Sequence, residues 1–542
     1  MYLSRRTIEN IVKSGSHPVL DPKALNSKNL DLPERVIQVG EGNFLRGFVD
    51  WMVHRLNQAG LFQGRIVVVA PRPTGRTTVE QINVQDGLYT VWLRGISEGQ
   101  QVDQPEIVSA VSRAIDPYED WQGFLKCAEN KDIDIFVSNT TESGIVYQPE
   151  NYVPTEPISS FPGKLTAYLY HRFVYFDGDS NAGMHIVPCE LIENNGDVLR
   201  DIVLQHAKDW GFPEAFRQWV NGANDFCNTL VDRIVTGHPP EPERTRLFTA
   251  LGYEDPLLTM GEPFHLFAID SKGTAPQQEN STQTASQESL VPKESFVEGF
   301  RRGDLSRKWP FHEIGLNVKY VSDISPYRVQ KVRILNGAHT AMAYLARSLG
   351  LSTVRQAVTD PLLSQFVNTV IDLEIVPIVE RELPDVDRET IHSFAQSVLE
   401  RFANPFVEHK IMDLTLNGLS KFRIRLLPVL EQFSQLRQTP PQRLSLALAA
   451  FLLFYKSADD GQVQWEVRDD PVHVAAIRSL WANEPLDSLK NTIVSILGLT
   501  EVWGQDVNAI PGLANRLVEQ IEIIRQVGTQ QAIMSVLQTD AL

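Results

Sequence analysis

The chain of 542 residues has few cysteines and none of the common metal-binding motifs. Its three cysteines, Cys127, Cys189 and Cys227, are widely spaced, and neither a Cys-x-x-Cys pair nor a His-Glu-x-x-His motif occurs. A disulfide framework and a cysteine or zincin-type metal site are therefore not predicted. We expect buried free thiols in a reducing compartment and no metal.

The sequence also lacks long apolar runs and an excess of positive charge. No segment approaches 18 uninterrupted apolar residues, and residues 1–7 lack the apolar core of a signal peptide. Lys and Arg number 50 against 67 Asp and Glu, which gives a net charge of −17. Nucleic-acid-binding proteins normally present a basic surface. We therefore expect a cytoplasmic protein with neither a membrane partner nor a nucleic-acid partner.

Short apolar runs alternate with helical patterns in the part of the chain before Pro326. Candidate strands cover 35–39, 65–70, 133–138 and 185–189, and an apolar period predicts a helix over 44–56. This alternation predicts a largely parallel sheet covered by helices, with ligands at the carboxyl ends of the strands. Two further apolar runs, at 264–269 and 316–321, are candidates to pair with each other across a Gln/Ser/Thr-rich segment.

From Pro326 onward, amphipathic helical patterns dominate and strand signals are sparse. We predict an N-terminal extension over 1–31 and an α/β dinucleotide-binding domain over 32–323. A mainly α-helical, substrate-binding domain is predicted over 324–542. The polar segment 271–310 has no hydrophobic period and is predicted to be a disordered insert.

Gly40-Glu41-Gly42 stands between a strand and a helix, as in the loop that binds a dinucleotide. The first glycine permits a tight turn, the second lets the backbone approach a pyrophosphate, and the helix N-terminus offers free N–H groups. The third glycine of the usual pattern is replaced by Leu45. A plain structural turn is therefore an alternative.

The second strand offers no clear choice between cofactors. It ends at Ala70-Pro-Arg72, with no acid for the ribose of NAD. Arg72 and Arg76 are therefore candidates to face a 2′-phosphate or to stack near the adenine. NAD is the predicted cofactor, and NADP remains an alternative.

The stretch 331–340 places an amine, an amide and an imidazole close together in the chain. On an α-helix, Lys331, His339 and Asn336 point about 0°, 80° and 140° around the axis. The three side chains can therefore face one cleft, where they could move a proton and polarise a carbonyl without a metal. A solvated helix face with a satisfied histidine is the alternative interpretation.

These motifs, taken together, resemble the polyol-specific long-chain dehydrogenases, the mannitol dehydrogenase family. The resemblance rests on Gln38-Val-Gly-Glu-Gly-Asn-Phe-Leu-Arg46, Asn139-Thr-Thr-Glu142, Val231-Asp-Arg-Ile234 and Lys331-x4-Asn336-x2-His339. It extends from about residue 33 to the C-terminus outside the segment 271–310. Stretches at 85–89, 187–192, 229–237 and 416–425 are similar to the branch that interconverts tagaturonate and altronate.

The resemblance implies an oxidoreductase with a Rossmann-type α/β domain followed by a mainly helical domain, working with NAD and without metal. It implies Lys331 as the general acid/base, with Asn336 and His339 beside it. The implied activity is reduction of the keto sugar acid tagaturonate to altronate, and the reverse, in hexuronate catabolism. Fructuronate reduction, polyol oxidation and a non-catalytic nucleotide-binding protein are the alternatives.

The residues predicted to bind ligands fall into two sets. The cofactor set is Val36, Ile37, Gln38, Val39, Gly40, Glu41, Gly42, Asn43, Phe44, Leu45, Arg46, Gly47, Asn139 and Glu142; a helix-cap role is the alternative for Glu142. The substrate set is Asp232, Lys421, Arg423 and Arg425. Asp232 and Lys421 match family positions near the substrate. Lys421 and the two arginines are candidates to hold a carboxylate, and a surface basic turn is the alternative.

Two departures from the family pattern bear on the substrate. Leu191 stands where the family's mannitol enzymes have an asparagine. Asp413 stands where the family has a substrate-site arginine. Both departures favour a ligand other than a polyol, such as a sugar acid.

Overall fold

The computed structural model describes residues 2–14, 27–141, 143–271, 305–456, 467–484 and 488–538. The chain divides into two compact units. The α/β unit contains Met1–Arg94 and Val102–Ile324, and the helical unit contains Gly95–Gln101 and Ser325–Leu542.

Three sheets contain the strands. The strands are β1 (Glu34–Val39), β2 (Arg65–Val69), β3 (Tyr89–Ser97), β4 (Gln100–Val108), β5 (Val111–Ile115), β6 (Ile135–Ser138), β7 (His185–Pro188), β8 (Asp225–Phe226), β9 (Asn228–Asp232), β10 (Val235–Thr236), β11 (Thr259–Gly261), β12 (Leu266–Asp270) and β13 (Val318–Val321). The largest sheet has the order β5-β2-β1-β6-β7-β8, and all its neighbouring strands are parallel. The smaller sheets have the orders β10-β11-β3-β4 and β13-β12-β9.

The parallel sheet is covered on both faces, and its strands are correspondingly apolar. Alternate residues of one strand enter different cores: Val36 of β1 packs in one, and Ile37 packs in the other. Every residue of β2 is buried. Parallel sheets require this double cover, which explains the continuous Val/Ile run of β2. The predicted pairing of the runs at 264–269 and 316–321 is present as the parallel pair β12 and β13.

Ten α-helices belong to the described part of the α/β unit. They are α1 (Arg5–Ser14), α2 (Asn43–Arg46), α3 (Val49–Gln58), α4 (Arg76–Val84), α5 (Trp121–Cys127), α6 (Phe161–Tyr175), α7 (Asn195–Asp209), α8 (Glu214–Ala223), α9 (Glu243–Leu251) and α10 (Leu305–Lys308).

The helix predicted over 44–56 is wrong in one respect, because it is broken between α2 and α3. Phe48 has φ −129° and ψ −88°, outside the helical region. The carbonyl of Gly47 turns away and accepts a hydrogen bond of 2.8 Å from buried Arg233. A Cβ on Gly47 would lie 2.7 Å from Val235, so a glycine suits the close approach at this break.

Parts of the predicted extension and of the predicted insert belong to the core. Leu3 and Ile8 from the N-terminal segment are buried in one cluster with Leu88 and Leu251. Residues 272–304 lie outside the described residues, but Leu305 and Trp309 are fully buried. The insert predicted over 271–310 therefore extends too far at its C-terminal end, because two large apolar side chains there belong to the sheet core.

The helical unit contains fourteen α-helices and two π-helical segments in its described part. The helices are α11 (Ser325–Gln330), α12 (Gly337–Ser348), α13 (Val354–Thr359), α14 (Pro361–Val370), α15 (Val376–Glu382), α16 (Arg388–Phe402), α17 (Ile411–Thr415), α18 (Gly418–Arg425), α19 (Leu427–Arg437), α20 (Gln442–Tyr455), α21 (Pro471–Asn483), α22 (Leu489–Leu497), α23 (Thr500–Trp503) and α24 (Leu513–Gln538, with a break at Gly528). The π segments are Lys331–Asn336, between α11 and α12, and Ile371–Ile375, between α14 and α15.

One stretch, Pro361–Glu382, is long and apolar enough to cross a membrane by length and composition. More than half of its apolar window is buried inside the unit, as in the core helix of a globular domain. Its buried Glu374 accepts hydrogen bonds from the backbone N–H groups of Arg443 (2.9 Å) and Leu444 (2.8 Å) at the start of α20. This carboxylate satisfies donors that a helix start leaves unpaired.

Candidate active site

The parallel sheet reverses its strand order at β1 and β6, and the glycine loop lies at that point. Gly40 follows β1, and Asn139 follows β6. Gly40 has φ +129°, and a Cβ there would lie 2.7 Å from the backbone oxygen of Asn139. Only glycine fits this backbone conformation and this close approach. Ligands of open parallel sheets bind at such a reversal, beyond the carboxyl ends of the strands.

Arg46 holds the glycine loop in shape from within. It is buried, and it donates hydrogen bonds of 2.5 Å to the carbonyl of Glu41 and to Oδ1 of Asn43. A third bond of 3.2 Å reaches Thr259 on β11. Gly42, by contrast, faces open space, so the backbone there is accessible to a ligand.

Several residues of the predicted cofactor set support the loop from the core. Val36, Ile37, Val39 and Leu45 are essentially inaccessible. Their side chains therefore position the loop and do not reach a bound molecule.

A buried polar network lies beneath the loop. Gln38 donates a hydrogen bond of 3.0 Å to the carbonyl of Gly40. Asp50 on α3 accepts a hydrogen bond of 2.8 Å from the hydroxyl of Tyr89. Complete burial raises the pKa of Asp50 to about 7, and the hydrogen bonds from Tyr89 and Gln38 only partly oppose this increase.

A second buried carboxylate fixes the turn after β6. Glu190 accepts hydrogen bonds from Ser138 (3.0 Å) and from both the backbone N–H (2.9 Å) and the hydroxyl (3.0 Å) of Thr140. Asn139 donates to the carbonyl of Cys189 (2.8 Å). The predicted residue Glu142 lies outside the described residues.

In the helical unit, the predicted catalytic helix is not an α-helix at its start. Lys331–Asn336 is π-helical, so the directions expected for these side chains around an α-helix are wrong here. A π-helix closes i→i+5 hydrogen bonds and has more residues per turn than an α-helix, so residues five apart lie closer together around its axis. Lys331 and Asn336 are five apart, so the π segment brings both to one face. Segments of this kind occur frequently at functional sites.

His339, in the first turn of α12, is buried and stacks on Phe402 with 4.1 Å between ring centroids. Its Nε2 makes no hydrogen bond to any described residue. Burial holds the pKa of His339 well below its usual range, and the neighbouring basic groups of His409, Arg425, Arg401 and Lys421 lower it further. The imidazole is therefore neutral near pH 7 and available for a hydrogen bond to a ligand.

The predicted cations of α18 differ in where they lie. Arg425 donates a hydrogen bond of 3.1 Å to Thr340 beside His339, and burial lowers its pKa to about 10. Lys421 donates to the carbonyls of Asp413 (3.3 Å) and Leu414 (3.1 Å). Arg423 lies elsewhere, with its Cδ within 3.6 Å of where a Cβ of Gly504 would stand.

Two further positions singled out in the sequence belong to the α/β unit. Asp232, predicted to bind substrate, ends β9 and is buried. Leu191, which replaces a family amide, is 59% exposed and follows β7.

Two basic residues near His339, a histidine and an arginine, were not predicted from the sequence. His409 has its ring centroid 5.0 Å from that of His339, and Arg401 on α16 is buried nearby. Both are about 60 to 70 positions from His339 in the chain. Neither lies in a motif, and only the packing of α16 and the following loop against α12 brings them together.

Comparison with known proteins supports the assignment made from the motifs. A model of the mannitol dehydrogenase Rossmann domain matches residues 34–280, and one of the mannitol dehydrogenase C-terminal domain matches 323–525. Altronate oxidoreductase of Bacillus subtilis (strain 168) is 38% identical over 502 residues, covering 92% of this chain and 95% of that protein. The chain belongs to the mannitol dehydrogenase family. It is therefore a member of a family of oxidoreductases acting on CH–OH groups.

Other similar proteins agree with the family and with its fold. Altronate oxidoreductase of Escherichia coli O17:K52:H18 is 38% identical, covering 94% of this chain and 99% of that protein. Mannitol 2-dehydrogenase of Pseudomonas fluorescens, solved with NAD and D-mannitol, has a TM-score of 0.66 at 20% identity over 99% of this chain and 100% of that one. A D-sorbitol dehydrogenase gives 0.72 at 19% identity, over 93% of this chain and 96% of that one.

Proposed function

We propose that this protein uses NADH to reduce the keto group of tagaturonate, which forms altronate, and that it catalyses the reverse oxidation with NAD. The single observation that carries the choice of a sugar acid is the cationic group around His339. Arg401, Lys421 and Arg425 lie close enough to the neutral, buried imidazole to act on it electrostatically. Similarity to altronate oxidoreductases supports the same substrate.

A carboxylate substrate suits this surrounding because guanidinium groups bind carboxylates with charge-assisted, often bidentate hydrogen bonds. Arg425 is the best placed of the predicted arginines, since it bonds Thr340 next to His339. Arg401 is a second candidate on α16. A polyol has no negative charge and would gain much less from these cations.

The α/β unit fits a dinucleotide by its backbone. Gly40 approaches the backbone of Asn139 closely, and the space beside Gly42 is open. This arrangement leaves room for a pyrophosphate, and Asn43 and Asn139 border the loop. A reduced nicotinamide, when bound, supplies the hydride to the keto carbon. Arg76 is already engaged by Glu80 (3.1 Å) and Glu119 (2.7 Å), which weakens the case for it as a 2′-phosphate ligand and favours NAD.

Residues of the helical unit donate the proton in one direction and accept it in the other. As negative charge develops on the keto oxygen, the Lys331 ammonium donates a proton to it, and the product is the hydroxyl of altronate. Neutral His339 can donate a hydrogen bond to the same oxygen, and the Asn336 amide orients it. In the reverse direction, the neutral Lys331 amine accepts the hydroxyl proton. General acid catalysis of this kind contributes typically about 10²- to 10⁴-fold.

A direct assay tests the proposal and its competitors. NADH and then NADPH are mixed with the purified protein and tagaturonate, fructuronate or fructose, and the loss of reduced-cofactor absorbance is followed. We expect the highest kcat/KM for tagaturonate. Preference for fructuronate or fructose would reassign the substrate within the family. If neither cofactor is oxidised with any of the three, the chain is a non-catalytic nucleotide binder.

A further inference from the structure

The loop after β2 has no acid at the position where NAD enzymes usually carry one. In the usual arrangement, an Asp or Glu near the end of the second strand binds the 2′-hydroxyl of the adenosine ribose. Here β2 is followed by Ala70, Pro71, Arg72, Pro73 and Thr74. An NAD-binding site of this kind therefore needs a carboxylate from another part of the chain.

The structure places a carboxylate against this loop from the neighbouring strand. Glu41 stands between the two glycines after β1, and its Cδ would lie 2.9 Å from a Cβ built on Gly75. The Oε1 atom of Glu41 would lie too close to such a Cβ for a van der Waals contact. Gly75 thus leaves space that the carboxylate of Glu41 occupies.

Two of the charged residues that act on this carboxylate follow strands at the carboxyl edge of the parallel sheet. Arg72 after β2 and Asp116 after β5 both act electrostatically on Glu41, as does Arg46. Burial raises the pKa of Glu41, and the hydrogen bond from its own backbone N–H and the positive charges of Arg46 and Arg72 oppose this increase. Among the described residues, the Glu41 carboxylate accepts a hydrogen bond from its own backbone N–H and from no side chain, so it retains acceptor capacity for ligand hydroxyls.

We infer that Glu41 supplies, from the glycine loop, the carboxylate that selects NAD over NADP by accepting a hydrogen bond from the ribose 2′-hydroxyl. The inference rests on the proposed use of a nicotinamide cofactor and names the residue that sets its preference. A 2′-phosphate at that position would face a carboxylate and be repelled. The exposed side chain of Arg72, which makes no hydrogen bond or ion pair with a described residue, is insufficient to reverse this while Glu41 is present.

Binding of the two cofactors tests this inference without any substrate. NADH and NADPH are titrated into wild type, Glu41→Gln and Glu41→Ala, and dissociation constants are measured by tryptophan-to-nicotinamide energy transfer. Loss of a hydrogen bond to a charged acceptor predicts weaker NADH binding by about tenfold or more. NADPH binding should strengthen in the same variants, and Glu41→Gln/Arg72→Ala should remove that gain.

Glu156→Gln is the matched control, because Glu156 is exposed in the same unit. It should leave both constants unchanged. The inference is overturned if wild type prefers NADPH, or if the ratio of the two constants is the same in Glu41→Gln as in wild type. Neither result would contradict the proposed reductase activity. Failure of the wild type to turn over tagaturonate would reject that activity but would not contradict the binding preference.

Discussion

The two units of this protein prepare ligand sites by opposite electrostatic means. In the α/β unit, the glycine loop is surrounded by buried carboxyl groups, with Asp50 beneath it and Glu190 beside it. In the helical unit, Arg401, Lys421 and Arg425 act electrostatically on a neutral imidazole. The first arrangement would offer a ligand mainly backbone groups, which buried carboxyl groups help to hold in place. The second presents side-chain charge directly, and therefore suits an anionic substrate.

The contrast predicts that the proton transfer depends on the helical unit alone. Lys331→Ala should lower kcat for tagaturonate reduction by about 10²- to 10⁴-fold, because the general acid is lost. NADH affinity, measured by fluorescence titration, should not change. Lys490→Ala, an exposed lysine on α22, is the control. Near wild-type turnover in Lys331→Ala would show that another group protonates the product.

The charge of the helical site can be tested with two arginines of one helix. Arg425→Ala should raise KM for tagaturonate by about 10- to 100-fold, because a charge-assisted hydrogen bond to the carboxylate is removed. Arg423→Ala should have little effect, since Arg423 points toward Gly504. Arg425→Lys should recover part of the loss. Equal effects of Arg423→Ala and Arg425→Ala on KM would mean that α18 carries no specific carboxylate site.

The buried acid beneath the glycine loop should make the α/β unit less stable as pH rises. Folding raises the pKa of Asp50 from 3.8 to about 7, so its contribution to stability is fully present below 3.8 and is lost as pH rises toward 7. Relative to Asp50→Asn, wild type should lose about 1–3 kcal/mol between pH 5 and pH 8. Thermal unfolding of both proteins across this range measures the difference. A constant difference would show that Asp50 does not titrate there.

The buried imidazole should give the opposite dependence of stability on pH. The pKa of His339 is lowered in the folded protein, so its contribution to stability is present above the unfolded value of about 6.5 and declines as pH falls below it. Relative to His339→Gln, wild type should lose about 1 kcal/mol per pH unit below 6.5. Urea unfolding at several pH values tests this prediction. A wild type that gains stability on acidification would indicate a protonated imidazole.

The sequence predicted the fold class well because its signals are local. The Val/Ile run of β2 and the long amphipathic patterns after Pro326 each show the structure that they form. The helix over 44–56 was less well predicted. Its break at Gly47 depends on Arg233 and Val235, nearly 190 positions away, and no local pattern reveals such a contact.

The amino-acid sequence by itself determined which groups are available and which are neighbours. Lys331, Asn336 and His339 belong to one short stretch, and Gly40 and Gly42 flank Glu41, so their proximity follows from covalent connection. Tertiary structure decided how these groups are presented. The π segment brings Lys331 and Asn336 to one face, packing brings Arg401 and His409 to His339, and Gly75 makes room for Glu41. These features depend on contacts between distant parts of the chain, which exist only when the cores have formed.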